Sequence, residues 1–207
     1  MKILKRGAEA ILYLSNYFGE KVLVKERIRK SYRLMEIDNF LRKFRTRKEV
    51  KLLTEARKIG VSTPKVLDVD EKKGKIIMEF IDGILIKEFF DKARKKEVVE
   101  MSSKIGELVG KLHSFNLVHG DLTTSNMILK NKIIYFIDFG LGEFSNRIED
   151  KAVDLRLLHD AINATHPNLL KLIWKNILKG YKKEYKNAKE VLIQLEKIKK
   201  RVRYAKR

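Results

Sequence analysis

Three features of the sequence predict an α+β fold of two lobes, a small β-rich lobe followed by a larger helical one. Short β-prone runs crowd the first 80 residues, a break at Asp82-Gly83 ends them, and beyond it apolar residues recur at helical spacing. The length agrees, because 207 residues suffice for one globular unit or two small packed lobes.

The elements follow in chain order. Ala10 to Leu14 and Lys21 to Lys25 read as two strands, with Ser15, Asn16 and Gly19 supplying turn chemistry between them. A charged stretch from Glu26 to about Arg45 precedes a helix over about Thr46 to Ile59. Its apolar positions Val50, Leu53, Ala56 and Ile59 fall three apart, and Gly60 is a stop signal. Pro64 opens two further strands, Lys65 to Asp70 and Lys75 to Phe80, joined by the turn at Glu71 to Gly74. Next, Val98, Met101, Ile105, Leu108, Leu112 and Phe115 form one face of a long helix. After a loop at His119 to Asn126, the runs Met127 to Lys130 and Ile133 to Ile137 flank an Asn131-Lys132 turn. From Asp150 on the chain reads as helix. The expected divisions are an N-terminal lobe over 1–80, a hinge over 81–83, a helical catalytic lobe over 84–195 and a basic tail over 196–207.

Composition removes several classes of function. With 44% hydrophobic residues the chain can bury a core, which excludes wholesale disorder, and no sustained repeat indicates a rod or array. Cysteine is absent, so there is neither a disulfide framework nor a thiolate metal site. The four histidines show no paired ligand spacing. There is no apolar window long enough to span a bilayer, and the basic N-terminus lacks the apolar stretch of a signal peptide, so a cytoplasmic protein with no membrane partner is expected. The charge stands out: 47 Lys and Arg against 27 Asp and Glu give +20. An excess of that size suits polyanionic partners, although a solvated Lys-rich surface would produce it too.

The stretch His119-Gly120-Asp121-Leu122-Thr123-Thr124-Ser125-Asn126, followed twelve residues later by Asp138-Phe139-Gly140, carries the chemistry. An aspartate in a loop, an Asn five residues on and a second Asp after a β-hairpin can converge on one Mg²⁺ and triphosphate. Their oxygens are the hard ligands magnesium takes, and a free carboxylate can orient a nucleophile. Either motif alone could be a turn cap or a strand end. Both in order, with a hairpin between them, resemble the catalytic loop H-x-D-x-x-x-x-N and the D-F-G motif of the protein-kinase superfamily.

That resemblance implies roles for residues that would otherwise be unremarkable. Lys25, closing a strand, falls where the family places the lysine that contacts the α- and β-phosphates. Its ion-pair partner would be a Glu on the next helix; Glu49 is favoured over Glu55, which lies on another face. Asn126 and Asp138 would hold Mg²⁺, Asp121 would orient the attacking group, and Gly7 is what remains of a phosphate turn. Met78 would back the adenine of ATP, with backbone groups of Glu79 and Ile81 facing it. The departures are informative as well. Lys5-Arg6-Gly7-Ala8-Glu9-Ala10 keeps one glycine of a G-x-G-x-x-G loop, Gly120 replaces the arginine that reads a phosphorylated activation loop, and the fifteen residues between Asp138 and Asp154 contain no A-P-E. A general kinase acting on exchangeable protein substrates is disfavoured.

A minimal kinase with H-G-D, Asp138-Phe139-Gly140-Leu141-Gly142 and the segment Glu149 to Leu155 resembles the small atypical Ser/Thr kinase and ATPase subunit of the KEOPS complex, the p53-related protein kinase family. The resemblance extends over nearly the whole chain. It implies ATPase activity in support of threonylcarbamoyl-adenosine modification of tRNA, Ser/Thr autophosphorylation, and as partners a metalloenzyme subunit, other KEOPS subunits and tRNA. By resemblance, Asp154 braces the catalytic loop; by itself it reads as a surface charge. Seven of the eleven residues from Lys197 to Arg207 are basic, and Lys199, Lys200, Arg201, Arg203, Tyr204, Lys206 and Arg207 are the candidate contacts to nucleic acid or partner. A second basic cluster runs from Lys25 to Lys51, eleven cations against four acids. Two other functions share these features: a small-molecule phosphotransferase of the aminoglycoside or choline kinase type, and a non-catalytic tRNA-binding scaffold.

Overall fold

The computed structural model describes residues 2–205, with side chains through Arg201. It is an α+β fold with an antiparallel sheet in its first part and helices in its second. Strands β1 (Lys2–Arg6), β2 (Ala10–Tyr17) and β3 (Glu20–Arg27) are followed by helix α1 (Met35–Lys58), then β4 (Val66–Asp70) and β5 (Lys75–Glu79). The sheet order is β1-β2-β3-β5-β4, all antiparallel.

Strand β1 is not foreseen by the sequence reading, and β2 and β3 run longer than expected. Ser15 and Asn16 lie within β2, and the turn is the pair Phe18-Gly19, with φ of 50° and 85°. Two consecutive left-handed residues match the right-handed twist of the flanking strands, and the Asn16 side chain accepts the Gly19 amide at 2.9 Å. The second hairpin repeats the device at Asn131 and Lys132, with φ of 50° and 62°.

Helix α1 begins at Met35, eleven residues ahead of the expected start. The reason is chemical. Its buried residues are Asp38, Thr46, Glu49, Leu52, Leu53 and Ala56, whereas Met35, Ile37, Phe40 and Phe44 are exposed. The inner face is half polar, so the periodicity that normally marks a helix is inverted over its first three turns.

Beyond residues 81–83 come β6 (Ile84–Leu85) and α2 (Ile86–Lys92), then α3 (Lys95–Ser114), β7 (Leu117–Val118), the hairpin β8 (Met127–Lys130) and β9 (Ile133–Phe136), and β10 (Glu143–Phe144). Helices α4 (Ile148–Thr165), α5 (Leu170–Glu184) and α6 (Ala188–Ala205) complete the chain. In α3 the apolar face is as expected at Val98, Met101, Ile105 and Leu112; Phe115 lies past the helix end and is exposed, and Val109 is buried instead. A Cβ on Gly106 would fall 2.0 Å from the Ile177 carbonyl oxygen, so α3 and α5 touch backbone to backbone at that point. The main core runs from these helices through Leu117, Leu122 and Phe139 to Leu52, Leu53 and Ala56 of α1, tying the His119–Asn126 loop to both parts of the chain. A smaller apolar cluster, Tyr13, Val22 and Val24, lies on the sheet.

Candidate active site

Lys25 and Arg27 lie two residues apart on β3 and therefore on one face of the sheet. Lys25 Nζ donates to Glu49 Oε1 and to Asp138 Oδ1, both at 2.7 Å, and Arg27 Nη2 donates to Glu49 Oε2 at 2.6 Å. Glu49 is 1% exposed and takes a cation on each oxygen. Among the described residues Glu55 pairs only with Lys58, on the outside of the helix. Burial alone would push the Lys25 ammonium down, but the Glu49 and Asp138 carboxylates outweigh it and hold Lys25 above its ordinary value.

Asp138 follows β9 and the buried Phe139 anchors it from behind. Its φ is +63°, a left-handed conformation uncommon outside glycine, and this turn aims the carboxylate at Lys25 while the chain passes on to Phe139. Burial acts to raise its pKa; the Lys25 charge overcomes that and leaves Asp138 below the usual carboxylate value.

The loop from His119 to Asn126 is held from beneath. Asp154, on α4 and 1% exposed, accepts the amides of His119 at 2.7 Å and Gly120 at 2.9 Å, and its Oδ2 lies 3.3 Å from His113 Nε2. His113 Nδ1 in turn meets the Tyr181 hydroxyl at 2.8 Å. Gly120 has φ +79°, and a Cβ there would fall 2.4 Å from the Leu141 carbonyl oxygen. His119 is buried, which pushes its pKa down against the pull of Asp154 and keeps the ring neutral. Its Nε2–H donates to the Ile137 carbonyl at 3.1 Å, and Nδ1 accepts the Asp121 amide at 3.3 Å, so the ring links Asp121 to the chain just ahead of Asp138.

Asn126 Nδ2 donates to the Asp121 carbonyl at 2.9 Å and to its carboxylate Oδ2 at 2.8 Å. Two donations from one nitrogen fix the amide orientation and turn Asn126 Oδ1 away as an acceptor. An Asn oxygen and an Asp oxygen are a hard but incomplete donor set. It fits a Mg²⁺ that takes its remaining ligands from phosphates and water, and no cluster of three or more His, Cys, Asp or Glu able to hold a metal by themselves occurs among the described residues.

These residues border two adjoining cavities. One, of about 320 Å³, is mainly apolar, with Leu12, Leu23, Met78, Ile81, Ile128 and Ile137 around Lys25 and Asp138. The other, of about 420 Å³, is cationic: Lys5, Lys25, Arg27, Arg45 and Lys48 surround Asp121 and Asp138 beneath the Gly7 turn. Glu79 and Ile81 border the first, but the Glu79 amide donates to the Lys65 carbonyl at 2.8 Å, so of its backbone groups only the carbonyl could address a base. The Gly7 amide N–H closes its turn by donating to the Ala10 carbonyl at 2.9 Å, and Arg45 grips Glu9 of the same turn at 2.6 Å. Strand alternation from Lys25 is the signal that could have pointed to Arg27; nothing local pointed to Lys5, His113 or Tyr181.

The C-terminal candidates lie elsewhere. Residues 196–205 continue α6. Lys199 pairs with Glu196 and Arg201 with Glu149, while Lys200 borders a surface groove with Lys186, Lys189 and Lys197. Lys206 and Arg207, and the side chains of Arg203 and Tyr204, lie outside the described residues.

Comparison with known proteins places the chain in a family. Residues 15–141 match the RIO domain family model. The chain is 46% identical over 187 residues to the KEOPS complex subunit Bud32 of Pyrococcus abyssi, covering 87% of this chain and 85% of that one. It is 45% identical over 205 residues to a probable bifunctional tRNA threonylcarbamoyladenosine biosynthesis protein of Methanosarcina barkeri, covering 99% of this chain and 36% of that protein; the chain thus spans about a third of the bifunctional relative. Among solved structures, WaaP in complex with acyl carrier protein superposes with a TM-score of 0.67 over 96% of this chain and 88% of that one, at 13% identity, a likeness of fold. The chain belongs to the RIO domain family, with its protein-kinase-like fold, and to the family of the KEOPS subunit Bud32.

Proposed function

We propose that the chain binds Mg-ATP in these two adjoining cavities and transfers or hydrolyses the γ-phosphate, as an atypical kinase and ATPase of the KEOPS complex that supports threonylcarbamoyl-adenosine modification of tRNA in the cytoplasm. The observation that carries this reading is the bridge from Lys25 to both Glu49 and Asp138 at 2.7 Å, beside the Asp121–Asn126 pair. The apolar cavity suits a purine, with Met78 behind it, and the cationic one suits phosphates. Magnesium held by Asn126 and Asp138 would neutralise phosphate charge. Lys25, with Glu49 behind it, would fix the phosphates, and the Asp121 carboxylate would orient a water or a Ser/Thr hydroxyl. Catalysis of this kind consists of positioning and charge neutralisation, which is what a braced and rigid loop supplies.

The relatives' names support the assembly: one is a KEOPS subunit, and another carries a similar chain within a tRNA threonylcarbamoyladenosine biosynthesis protein. The charge of +20 suits a tRNA partner, with the α6 lysines as contacts. The test is γ-phosphate release from labelled Mg-ATP, by the chain alone and with its metalloenzyme partner and tRNA, against Asp138→Ala. Release that requires tRNA and vanishes in the variant is expected. Label transferred mainly to added protein would redirect the reading to a protein kinase, and no turnover in any mixture would overturn it.

A further inference from the structure

Arg27 has no task in that scheme, yet it is built into the centre of the cationic cavity. It stands opposite Ala10 in the sheet, directly under the turn where a glycine-rich loop would cover phosphates. Its side chain is 6% exposed. A guanidinium carries five N–H donors in a fixed fork. Here Nη2 serves Glu49 Oε2 at 2.6 Å and the Arg45 carbonyl at 3.5 Å. Nε is buried without a partner, and Nη1 makes no hydrogen bond among the described residues. A nearly buried cation with unmatched donors is costly unless something completes it. The surroundings point to an anion: Lys5, Arg45 and Lys48 share the cavity wall. The place where a Cβ on Gly140 would stand is 3.6 Å from Arg27 Nη2, 3.5 Å from Lys25 Nζ and 3.1 Å from Asp138 Oδ1, so Arg27 converges on the same point as Lys25 and Asp138.

We propose that Arg27 binds the terminal phosphoryl group of the nucleotide. Nη2 keeps Glu49 in place, while the Nη1–H groups, and by a small turn of the guanidinium plane the Nε–H, donate to phosphoryl oxygens. A fixed fork thereby replaces the flexible amides of the missing glycine-rich loop. The inference rests on the nucleotide reading of the cleft and deepens it.

The experiment is calorimetric binding of a non-hydrolysable ATP analogue with Mg²⁺, and of AMP, to the full chain and to Arg27→Lys, which keeps a charge on Glu49 but loses the fork. We expect the triphosphate to bind about tenfold more weakly to the variant, with AMP within about twofold of wild type. Equal weakening of both ligands, or of neither, overturns the role of Arg27 while leaving the nucleotide reading intact. A wild-type chain that binds neither ligand overturns both. Should the variant fail to fold, the wild-type Arg27 Nε–H resonance decides: slowed hydrogen exchange with the triphosphate and not with AMP supports the contact, and no change at saturation refutes it.

Discussion

Replacing Glu49 with Gln tests the centre of the site, because one carboxylate buried to 1% exposure answers two cations at once. Gln keeps the shape and one acceptor oxygen but removes the charge that Lys25 and Arg27 share. Lys25 retains Asp138 at 2.7 Å; Arg27 loses its only ion-pair partner among the described residues. Removing one side of a buried pair costs about 3–5 kcal/mol, and the isosteric amide places this case near 3 kcal/mol. Against a total stability of about 5–15 kcal/mol that is a large fraction, and for a chain of this length it lowers Tm by roughly 6–12 °C. Glu55→Gln removes only an exposed i,i+3 contact to Lys58 and should cost less than about 0.5 kcal/mol. Urea midpoints of both variants, with ATP turnover on the same preparations, decide the matter. Glu49→Gln should also lower turnover on the order of a hundredfold, the scale of losing one positioned charge. A Glu49→Gln midpoint matching wild type, or a larger loss in Glu55→Gln, would refute the two-cation clamp.

The remaining expectations concern the loop and its brace. Asp154→Asn places an NH₂ group against one of two buried amides and should destabilise by about 2–4 kcal/mol in a denaturant titration, with turnover falling in parallel. Gly120→Ala combines φ +79° with a 2.4 Å approach to the Leu141 carbonyl and should cost more than about 1 kcal/mol by the same assay; an unchanged midpoint would show that the loop yields freely. Tyr181→Phe deletes one hydrogen bond to His113 and should cost about 1 kcal/mol, with turnover down severalfold and the nucleotide KM unchanged. Because the His119 pKa is depressed from 6.5, the unfolded chain takes up a proton there before the native one does, so stability should decline as pH falls below 6.5. Asp138, held below 3.8, adds a further loss as pH falls under that value. His119→Asn should flatten the first decline and leave the second; a decline unchanged in the variant would assign it to another group.

What the sequence determined by itself was local chemistry with a short range. The H-G-D and D-F-G segments, the Asn131-Lys132 turn and the alternating strands are each specified by neighbouring residues, so spacing and turn propensity made them legible. The preference for Glu49 over Glu55 was a choice of helix face, and only packing of α1 on the sheet puts Glu49 within 2.7 Å of Lys25, 24 residues away. The first three turns of α1 escaped notice because that helix buries polar residues and exposes apolar ones, against the rule by which helices are read. Asp154 reads as a surface charge until α4 is laid under the His119–Asn126 loop, where two backbone amides, 35 and 34 residues distant, converge on it. Arg27 differs in kind. Its position two residues after Lys25 could be read from the strand, but the isolation of its donors is a property of the cavity, set by which partners the tertiary structure brings near and which it withholds.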